Sequence, residues 1–247
     1  KSTQLKILQS YLEGLGYRVI ILREPGGTNY GEKLREAILA SEEALHPIAE
    51  AYLFASSRAQ LLKQVVLKEL SVEKTVVICD RYIDSSIAYQ GYARGLGAET
   101  ILKIHENEPL NTLPHQTYYL DIDLRTSFER QKARGNEKDY FESENQEFYM
   151  KLIVGFEEAS RIFPDRIKVI NGRLGEESVS ADIQKYVNKL SPTAIPSILK
   201  SFTYSLFLQP DRKIKVTNII DFMKKFIFLL SSQILQNQLQ LKYINLV

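Results

Sequence analysis

An acidic and a basic residue stand side by side at the end of a predicted buried strand. Asp80 and Arg81 directly follow the apolar, β-branched run of residues 75–79, a pattern that predicts a strand. Parallel sheets bind their ligands at the carboxyl ends of strands, so this pair indicates a ligand site. Further hydrogen-bonding groups follow in a predicted helix: Ser85, Ser86, Tyr89 and Gln90. The alternative is a structural ion pair that only caps the turn between strand and helix.

A second polar cluster ends another predicted strand. The apolar run of residues 17–22 is followed by Arg23 and Glu24, and then by Pro25, Gly26 and Gly27. Proline and paired glycines predict a tight, irregular turn in which the backbone can approach a ligand. A plain loop between a strand and a helix is the alternative.

Phe54 and Arg58 lie four residues apart in a predicted helix that begins at Pro47. This spacing places both side chains on one side of the helix. An aromatic ring and a guanidinium on one face can stack on a planar base and hydrogen-bond to it. A core phenylalanine and a solvated arginine are the alternative that spacing alone favours.

Two basic stretches could bind phosphate groups. Lys1, Ser2 and Thr3 open a predicted helix, as the last residues of a phosphate-binding loop G-x-x-x-x-G-K-[ST] do. An ordinary helix start is the alternative. The second stretch is a predicted helix that leads into the polar loop of residues 135–139 and could close over phosphates. Its basic residues are Arg125, Arg130, Lys132 and Arg134, and a solvated basic helix is the alternative.

The elements that must position these residues alternate along the chain. Predicted strands near residues 19, 77, 118 and 168 are separated by predicted helices as far as Leu190. This alternation predicts an α/β fold with a parallel sheet covered by helices on both faces. Residues 191–247 have a different composition and carry no motif with a chemical interpretation. We expect one domain over residues 1–190 and a C-terminal extension over residues 191–247, which could be helical.

Composition limits the class of protein. The 247 residues are 44% hydrophobic, carry a net charge of +2 and include one cysteine. The near-neutral charge gives no preference for nucleic acid, and a lone cysteine excludes an internal disulfide. The sequence has neither an apolar run long enough to span a bilayer nor a signal-peptide pattern at its start. We therefore expect a soluble, intracellular protein.

Four motifs occur in an order that resembles a known family. They are REPGGT at residues 23–28, LFASSRAQ at 53–60, DRYIDSSIAYQG at 80–91 and LDIDLRTSFERQKARG at 120–135. Over residues 1–190 the sequence resembles bacterial thymidylate kinases, which are nucleoside monophosphate kinases of the P-loop class. The resemblance implies a three-layer P-loop NTPase fold. It also implies that the first, central strand and most of the P-loop are absent from an N-terminally truncated sequence.

The resemblance implies transfer of a phosphoryl group from ATP to dTMP with Mg²⁺. It assigns catalysis to Lys1, Asp80, Arg81 and Arg134. ATP would be bound by Lys1, Ser2, Thr3, Arg130 and Arg134, and the metal by Ser2 and Asp80. The dTMP pocket would be formed by Glu24, Phe54, Arg58, Arg81, Ser86, Tyr89 and Gln90. In this scheme Phe54 stacks on thymine, Arg58 bonds to its carbonyl edge, and Arg81 holds the acceptor phosphate.

One departure from the family pattern concerns the lid. Asp139-Tyr140 stands where the family usually has Asp-Arg, so Arg134 or Lys138 must supply the lid cation. Two alternatives to dTMP kinase remain at this point. One is a P-loop kinase for another nucleoside or nucleoside monophosphate, and the other is a non-catalytic scaffold derived from such a kinase. The resemblance further implies a cytoplasmic homodimer that binds small nucleotides, and neither nucleic acid nor a membrane.

Overall fold

A parallel sheet organises the part of the chain that the structure describes. The computed structural model describes residues 1–41, 43–134, 144–190 and 243–247. In these ranges the sheet has five strands, in the spatial order β1-β2-β5-β3-β4. They are β1 (Arg18–Arg23), β2 (Thr75–Asp80), β3 (Gln116–Asp121), β4 (Ile167–Asn171) and β5 (Tyr243–Leu246). All neighbouring strands are parallel, which confirms the predicted α/β class and the four predicted strands.

Helices cover both faces of this sheet. They are α1 (Ser2–Gly14), α2 (Asn29–Leu39), α3 (Pro47–Leu61), α4 (Leu67–Ser71), α5 (Ile83–Ser86), α6 (Ala98–Ile104), α7 (Leu124–Arg134), α8 (Gln146–Ile162) and α9 (Glu176–Leu190). A π-helical turn, Leu62–Val66, joins α3 to α4, and a second, Ile87–Ala93, continues α5. Among the described residues, each helix is too short or too polar to cross a membrane.

Strand β2 separates two apolar cores. Val77 and Cys79 face a core shared with α3 and its π-helical extension, and Val76 and Ile78 face a core shared with α1 and α9. All four side chains are fully buried, and burial of such a side chain contributes about 1.5–3 kcal/mol. Because β2 has no solvent-facing side, its sequence is a continuous apolar run rather than an alternating one.

The centre of the sheet is filled by β5, a strand that the sequence analysis did not predict. Tyr243–Leu246 pairs with β2 on one side and with β3 on the other, and its four side chains are fully buried. The expected division into a domain over residues 1–190 and an extension over residues 191–247 stays a prediction. A four-residue segment with three apolar residues is too short for its periodicity to separate strand from helix. Burial between two strands decides the conformation of this segment. Residues 191–242 lie outside the described ranges.

The parallel arrangement brings the predicted polar clusters to one edge of the sheet. In the strand register Arg23 lies opposite Asp80, and Asp80 lies opposite Leu246. The backbone N–H of Glu24 donates to the carbonyl of Asp80 at 3.1 Å. Two clusters that are more than fifty residues apart in sequence therefore meet at the carboxyl ends of adjacent strands.

Candidate active site

A cavity of about 750 Å³ opens at the carboxyl ends of the strands. It is lined by predicted site residues from six parts of the chain: Lys1, Ser2, Thr3, Glu24, Phe54, Arg58, Asp80, Arg81, Ser86, Tyr89, Gln90 and Arg130. The side chain of Arg134 lies outside the described residues, as do Lys138, Asp139 and Tyr140 of the predicted lid. Every predicted site residue whose side chain is described therefore contributes to one cavity.

Lys1 and Asp80 form an ion pair at one end of this cavity. Lys1 Nζ lies 2.5 Å from Asp80 Oδ1, and both side chains are partly shielded from solvent. Helix α1 begins at Ser2, so the partial positive charge of the helix N-terminus lies close to the ammonium group. A lysine, a hydroxyl group and a helix N-terminus together provide a site that favours phosphate oxygens.

Arg81 has an unusual backbone conformation. Its φ of +74° lies in the left-handed region, which a residue with a Cβ adopts at a cost of about 1–2 kcal/mol. The guanidinium carbon lies 4.9 Å from the centre of the Tyr89 ring, and the backbone N–H donates to the carbonyl of Leu246 at 3.4 Å. The strained turn after β2 thus keeps a cation over an aromatic ring in the cavity wall.

Arg58 is the centre of a buried polar cluster. Its Nε donates to Glu24 Oε2 at 2.7 Å, and Nη2 lies 2.6 Å from the same oxygen. Nη1 contacts Ser86 Oγ at 3.1 Å and His105 Nε2 at 2.7 Å. A guanidinium has five N–H groups, so these contacts leave at most one for a bound base. The sequence hypothesis of a largely solvated Arg58 is wrong, because the side chain is only 1% exposed.

His105 acts as a neutral acceptor in this cluster. Arginine only donates and a carbonyl only accepts, so Nε2 accepts from Arg58 while Nδ1 donates to the carbonyl of Ile101 at 2.7 Å. Burial, assisted by the charge of Arg58, lowers the pKa of His105 to about 4. Burial alone would lower the pKa of Arg58, but the Glu24 carboxylate keeps that pKa raised. The cluster therefore keeps one charged guanidinium beside an uncharged imidazole.

Three buried oxygen atoms in the cavity wall lack a hydrogen-bond partner among the described residues. They are Glu24 Oε1, Ser85 Oγ and Gln90 Oε1. The amide of Gln90 is oriented by Glu50, whose Oε1 accepts from Gln90 Nε2 at 2.7 Å. Buried polar atoms rarely stay unpaired in native proteins. These three oxygen atoms are therefore able to accept hydrogen bonds from a molecule in the cavity.

The turn after β1 has the tight geometry that its sequence predicts. Gly27 has a φ of +75°, and a Cβ at this position would lie 2.8 Å from Leu61 Cδ1. Its backbone N–H donates to Glu32 Oε1 at 2.7 Å. The side chain of Thr28 then caps α2 by accepting from the N–H of Gly31. Glycine is favoured here because its φ lies in the left-handed region, which a residue with a Cβ adopts at a cost of about 1–2 kcal/mol.

A second buried network lies at the base of the site. Asp84 in α5 accepts from Thr117 Oγ1 at 2.8 Å, from Asn245 Nδ2 at 3.0 Å, and from both terminal nitrogens of Arg166 at 2.5 and 2.8 Å. These partners belong to β3, to β5 and to the residue just before β4. The network therefore fixes the helix after Arg81 to three strands of the sheet.

The comparisons with known proteins agree with this architecture. Residues 1–183 match the family model described as thymidylate kinase. The chain belongs to the thymidylate kinase family. It is 41% identical over 190 residues to the thymidylate kinase of Thermoanaerobacter sp. (strain X514), covering 76% of this chain and 92% of the relative. It is 42% identical over 172 residues to that of Caldanaerobacter subterraneus subsp. tengcongensis, covering 70% and 81%.

A solved structure supports the same assignment. The crystal structure of thymidylate kinase from Ehrlichia chaffeensis matches with a TM-score of 0.59 at 28% identity, covering 76% of this chain and 91% of that chain. The predicted resemblance and the P-loop kinase type of fold are thus confirmed. The family-model match ends before β5, so this central strand comes from a part of the chain that the match does not include.

The oxygen atoms near Lys1 fit a magnesium ion. The Asp80 carboxylate and the Ser2 hydroxyl line the same cavity, and both are oxygen ligands of the kind that Mg²⁺ prefers. Within the described residues, no cluster of three or more acidic, histidine or cysteine side chains could hold a metal alone. Mg²⁺ usually binds through one or two protein groups together with water and substrate phosphates, so a sparse set of ligands suits it.

Sequence reasoning missed several residues that build this site. His105, Glu50, Asp84 and Arg166 each contact a residue of the cavity wall or the turn beneath it. Asp84 lies inside the motif of residues 80–91, so its position was a usable signal. The other three lie outside the residues that the motif analysis singled out, and only the tertiary contacts reveal their roles.

Proposed function

We propose that this protein transfers the terminal phosphoryl group of ATP to dTMP, giving ADP and dTDP for nucleotide biosynthesis. The observation that carries the proposal is one cavity that joins the Lys1–Asp80 pair and Arg81 to the buried Arg58 cluster. Membership of the thymidylate kinase family supports the choice of reaction. Phosphoryl transfer requires mainly positioning and neutralisation of charge, and the composition of this cavity suits both requirements.

The donor end would lie at the start of α1. In this proposal Lys1 contacts the β- and γ-phosphates, and Ser2 and Thr3 extend the phosphate site. Ser2 and Asp80 would hold Mg²⁺, which when bound neutralises phosphate charge and orients the transferred group. Arg130, which is exposed on α7 and lines the cavity, would approach the donor from the lid side. Arg134 would be the second lid cation.

The acceptor end would lie between α3 and the π-helical segment Ile87–Ala93. Arg81 would hold the dTMP phosphate, since a guanidinium matches phosphate oxygens in a bidentate manner. Phe54 would stack on thymine, with Arg58 at its carbonyl edge. At most one N–H group of Arg58 remains, so Arg58 can donate only one hydrogen bond to the base. Ser86 contributes indirectly, because its hydroxyl accepts from Arg58.

Three further residues would complete the acceptor pocket. Gln90 Oε1, held in place through the bond to Glu50, is available to accept from a base N–H. Tyr89 packs edge-on against Phe148 and Phe156, and its ring would lie beside the sugar. Glu24, held by its ion pair with Arg58, would border the acceptor phosphate.

The two alternative functions are less well supported. A non-catalytic scaffold has less support, because Lys1, Arg58 and Arg81 line one cavity in a member of the thymidylate kinase family. A kinase for another acceptor would differ from a dTMP kinase only in the substrate that it phosphorylates. We also propose a cytoplasmic homodimer that acts on free nucleotides and not on nucleic acid or membranes.

The test is a coupled ADP-release assay with ATP, Mg²⁺ and a panel of acceptors. The panel contains dTMP, dUMP, dCMP and thymidine at equal concentrations. We expect dTMP to be preferred over the other monophosphates, and thymidine to be a poor acceptor because it lacks the phosphate that Arg81 would bind. Equal turnover of all four acceptors would exclude dTMP specificity. Failure of a folded chain to release ADP with any of them would favour the scaffold.

A further inference from the structure

Two walls of the cavity are joined by polar contacts at the acceptor end. Glu50, Phe54 and Arg58 follow one another at intervals of four residues in α3, so their side chains lie on one side of that helix. The outer two contact the segment formed by α5 and its π-helical continuation. Arg58 Nη1 donates to Ser86 Oγ at 3.1 Å, and Glu50 Oε1 accepts from Gln90 Nε2 at 2.7 Å. Phe54, which lines the cavity, is therefore placed midway along α3 between these two contacts.

Glu50 accepts hydrogen bonds through both of its carboxylate oxygens. Its side chain is fully buried. Oε1 accepts from Gln90, while Oε2 accepts from Arg94 Nε at 3.2 Å. Arg94 also pairs with Glu144, whose Oε1 lies 2.6 Å from Arg94 Nη1. An arginine only donates, and the carboxylate that it pairs with only accepts.

This property of Glu50 fixes the orientation of the Gln90 amide. An amide has an NH₂ group that donates and an oxygen that accepts, and their hydrogen-bond partners distinguish the two ends. Because Glu50 only accepts, the NH₂ group of Gln90 must face it. Gln90 is 1% exposed and lines the cavity, and its Oε1 has no hydrogen-bond partner among the described residues. The cavity wall therefore contains an acceptor at this position and not a donor.

Arg58 supplies the complementary group. Its contacts with Glu24, Ser86 and His105 leave at most one N–H for a ligand, and that group can only donate. One donor at Arg58 and one acceptor at Gln90 thus belong to the same cavity. Thymine and uracil match this combination, because each has a carbonyl oxygen beside a ring N–H. Cytosine has an amino group beside an unprotonated ring nitrogen, so each of its groups would meet a group of its own kind.

We propose that Glu50 is a positioning residue that makes the pocket select the keto pyrimidines, thymine and uracil, over cytosine. It acts through Gln90, whose amide it holds in the one orientation that accepts from the ring N–H of the base. The inference rests on the proposed function for the nucleotide, and it adds the residue that decides how the base is recognised. The pair formed by Arg58 and Gln90 does not contact the methyl group of thymine, so Glu50 does not distinguish thymine from uracil.

The substitution Glu50→Gln tests this role. The replacement has nearly the same shape but can also donate, so the amide of Gln90 can turn over. Steady-state kinetics with ATP and Mg²⁺ give kcat/KM for dTMP, dUMP and dCMP. We expect the ratio of kcat/KM for dTMP to that for dCMP to fall about tenfold or more, because a turned amide donates to the ring nitrogen of cytosine. The ratio for dTMP to dUMP should change by less than about threefold.

Glu144→Gln is the matched control. It neutralises the other carboxylate that pairs with Arg94 and leaves the bond between Glu50 and Gln90 in place. A general loss of stability lowers activity with every acceptor alike, so the dTMP-to-dCMP ratio should stay within about threefold of its value in the unmodified chain. An equally large fall of this ratio in Glu144→Gln would overturn the proposal.

A double-mutant cycle shows whether Glu50 acts through Gln90. In the background of Gln90→Leu, Glu50→Gln should no longer change the dTMP-to-dCMP ratio, because the amide on which Glu50 acts is gone. A change as large as in the unmodified background would overturn the proposal.

A measurement on the unmodified chain covers the case in which Glu50→Gln does not fold. The probe is dTMP labelled isotopically at its ring N–H, which is observed by NMR in the complex. We expect the proton of this group to be protected from exchange with water and to show a nuclear Overhauser effect to the side chain of Gln90. Exchange as rapid as in free dTMP would overturn the proposal.

The outcomes separate this inference from the proposed function, because calorimetric binding of dTMP and dCMP gives the same comparison without chemistry. If dTMP is phosphorylated and Glu50→Gln leaves the ratio unchanged, the kinase stands and the role of Glu50 is wrong. If no acceptor is phosphorylated while Glu50→Gln lowers the ratio of binding constants, the role of Glu50 stands and the kinase assignment fails. Binding of neither nucleotide to the unmodified chain would overturn both.

Discussion

Arg58 shows how a buried charge acquires a defined position. Its guanidinium is held by Glu24, Ser86 and His105, and its carbon lies 4.7 Å from the centre of the Tyr82 ring. Removing a charge from water is costly unless partners surround it. The cluster provides those partners before any ligand arrives, so a base that enters the cavity would meet a donor whose orientation is already fixed. This preorganisation is what Arg58 would contribute to the proposed acceptor pocket.

Replacement of Arg81 should affect catalysis and not folding. We expect Arg81→Ala to lower kcat/KM for dTMP by about a hundredfold or more, because charge-assisted hydrogen bonds to the acceptor phosphate are lost. Stability should change little, since the left-handed backbone at this position is no more strained for alanine than for arginine. Steady-state kinetics and thermal unfolding measure the two effects. Arg161→Ala, at an exposed ion pair on α8, is the control, and near-normal activity of Arg81→Ala would contradict the role.

His105 should make the folded state sensitive to acid. Its pKa is about 4 in the fold and about 6.5 in the unfolded chain. Between these values the unfolded chain binds more protons, so the free energy of unfolding falls as pH falls from about 6.5 to 4, by up to about 3 kcal/mol. His105→Gln keeps an acceptor for Arg58 but cannot protonate, so its loss of stability over this range should be smaller.

Urea unfolding at pH 7 and pH 4.5 measures this difference. His46→Gln is the matched control, because His46 is exposed before α3 and should keep the pH dependence of the unmodified protein. An unchanged pH dependence in His105→Gln would show that other groups account for acid sensitivity.

The short helix α5 depends on contacts with strands rather than on its own sequence. It has only four residues, too few to be stable alone. Asp84 ties it to Thr117, Asn245 and Arg166, and all of these contacts are at most partly exposed. Because α5 follows Arg81 and leads into the π-helical segment that carries Tyr89 and Gln90, this network positions two sides of the cavity at once.

Breaking this network at Arg166 should destabilise the fold. Arg166→Met leaves Asp84 buried without its cation, and loss of one partner of a buried pair costs about 3–5 kcal/mol. The free energy of unfolding in urea measures the effect. Arg18→Met breaks the exposed ion pair with Glu69 and should change stability little, since exposed pairs contribute little. Equal effects of the two substitutions would show that the Asp84 network stabilises the fold no more than an exposed ion pair does.

At the level of the whole molecule, the two apolar cores meet across a sheet whose middle strand comes from the far end of the chain. Strands β2 and β3 are both buried and both use β5 as a hydrogen-bonding partner. Without β5 each would expose an unpaired edge and an apolar surface, and exposed edges of this kind promote aggregation. Residues 243–247 therefore contribute to the stability of the sheet that the structure describes.

A substitution in β5 checks this contribution. Leu246 is fully buried, and we expect Leu246→Ala to lower the free energy of unfolding by about 2–5 kcal/mol through the lost contacts and the cavity left behind. Leu174→Ala is the matched control, because Leu174 is 44% exposed. Urea denaturation of both variants gives the comparison. A small effect at Leu246 would mean that β5 is not a stable part of the sheet in solution.

Local patterns in the sequence were enough to predict four strands, the parallel sheet and the polar clusters at Glu24 and Asp80–Arg81. These features depend on residues that are close together in the chain, where hydrophobic runs and turn residues act directly. The family motifs also identified residues that the structure places around one cavity. Asp80 and Phe54 are examples, because each lies within a continuous motif. The motif of Asp80 begins at the end of β2, and the motif of Phe54 lies in α3.

The position of β5, the partners of Arg58 and the Asp84 network could not be predicted in this way. Each depends on contacts between segments that are far apart in sequence: Asn245 with Asp84, Arg166 with Asp84, and His105 with Arg58. A short, mostly apolar segment such as Tyr243–Leu246 acquires its conformation from the two strands that flank it, and a buried charge acquires its orientation from the groups that replace water around it. Tertiary packing therefore decided both, because only the folded chain brings these groups together.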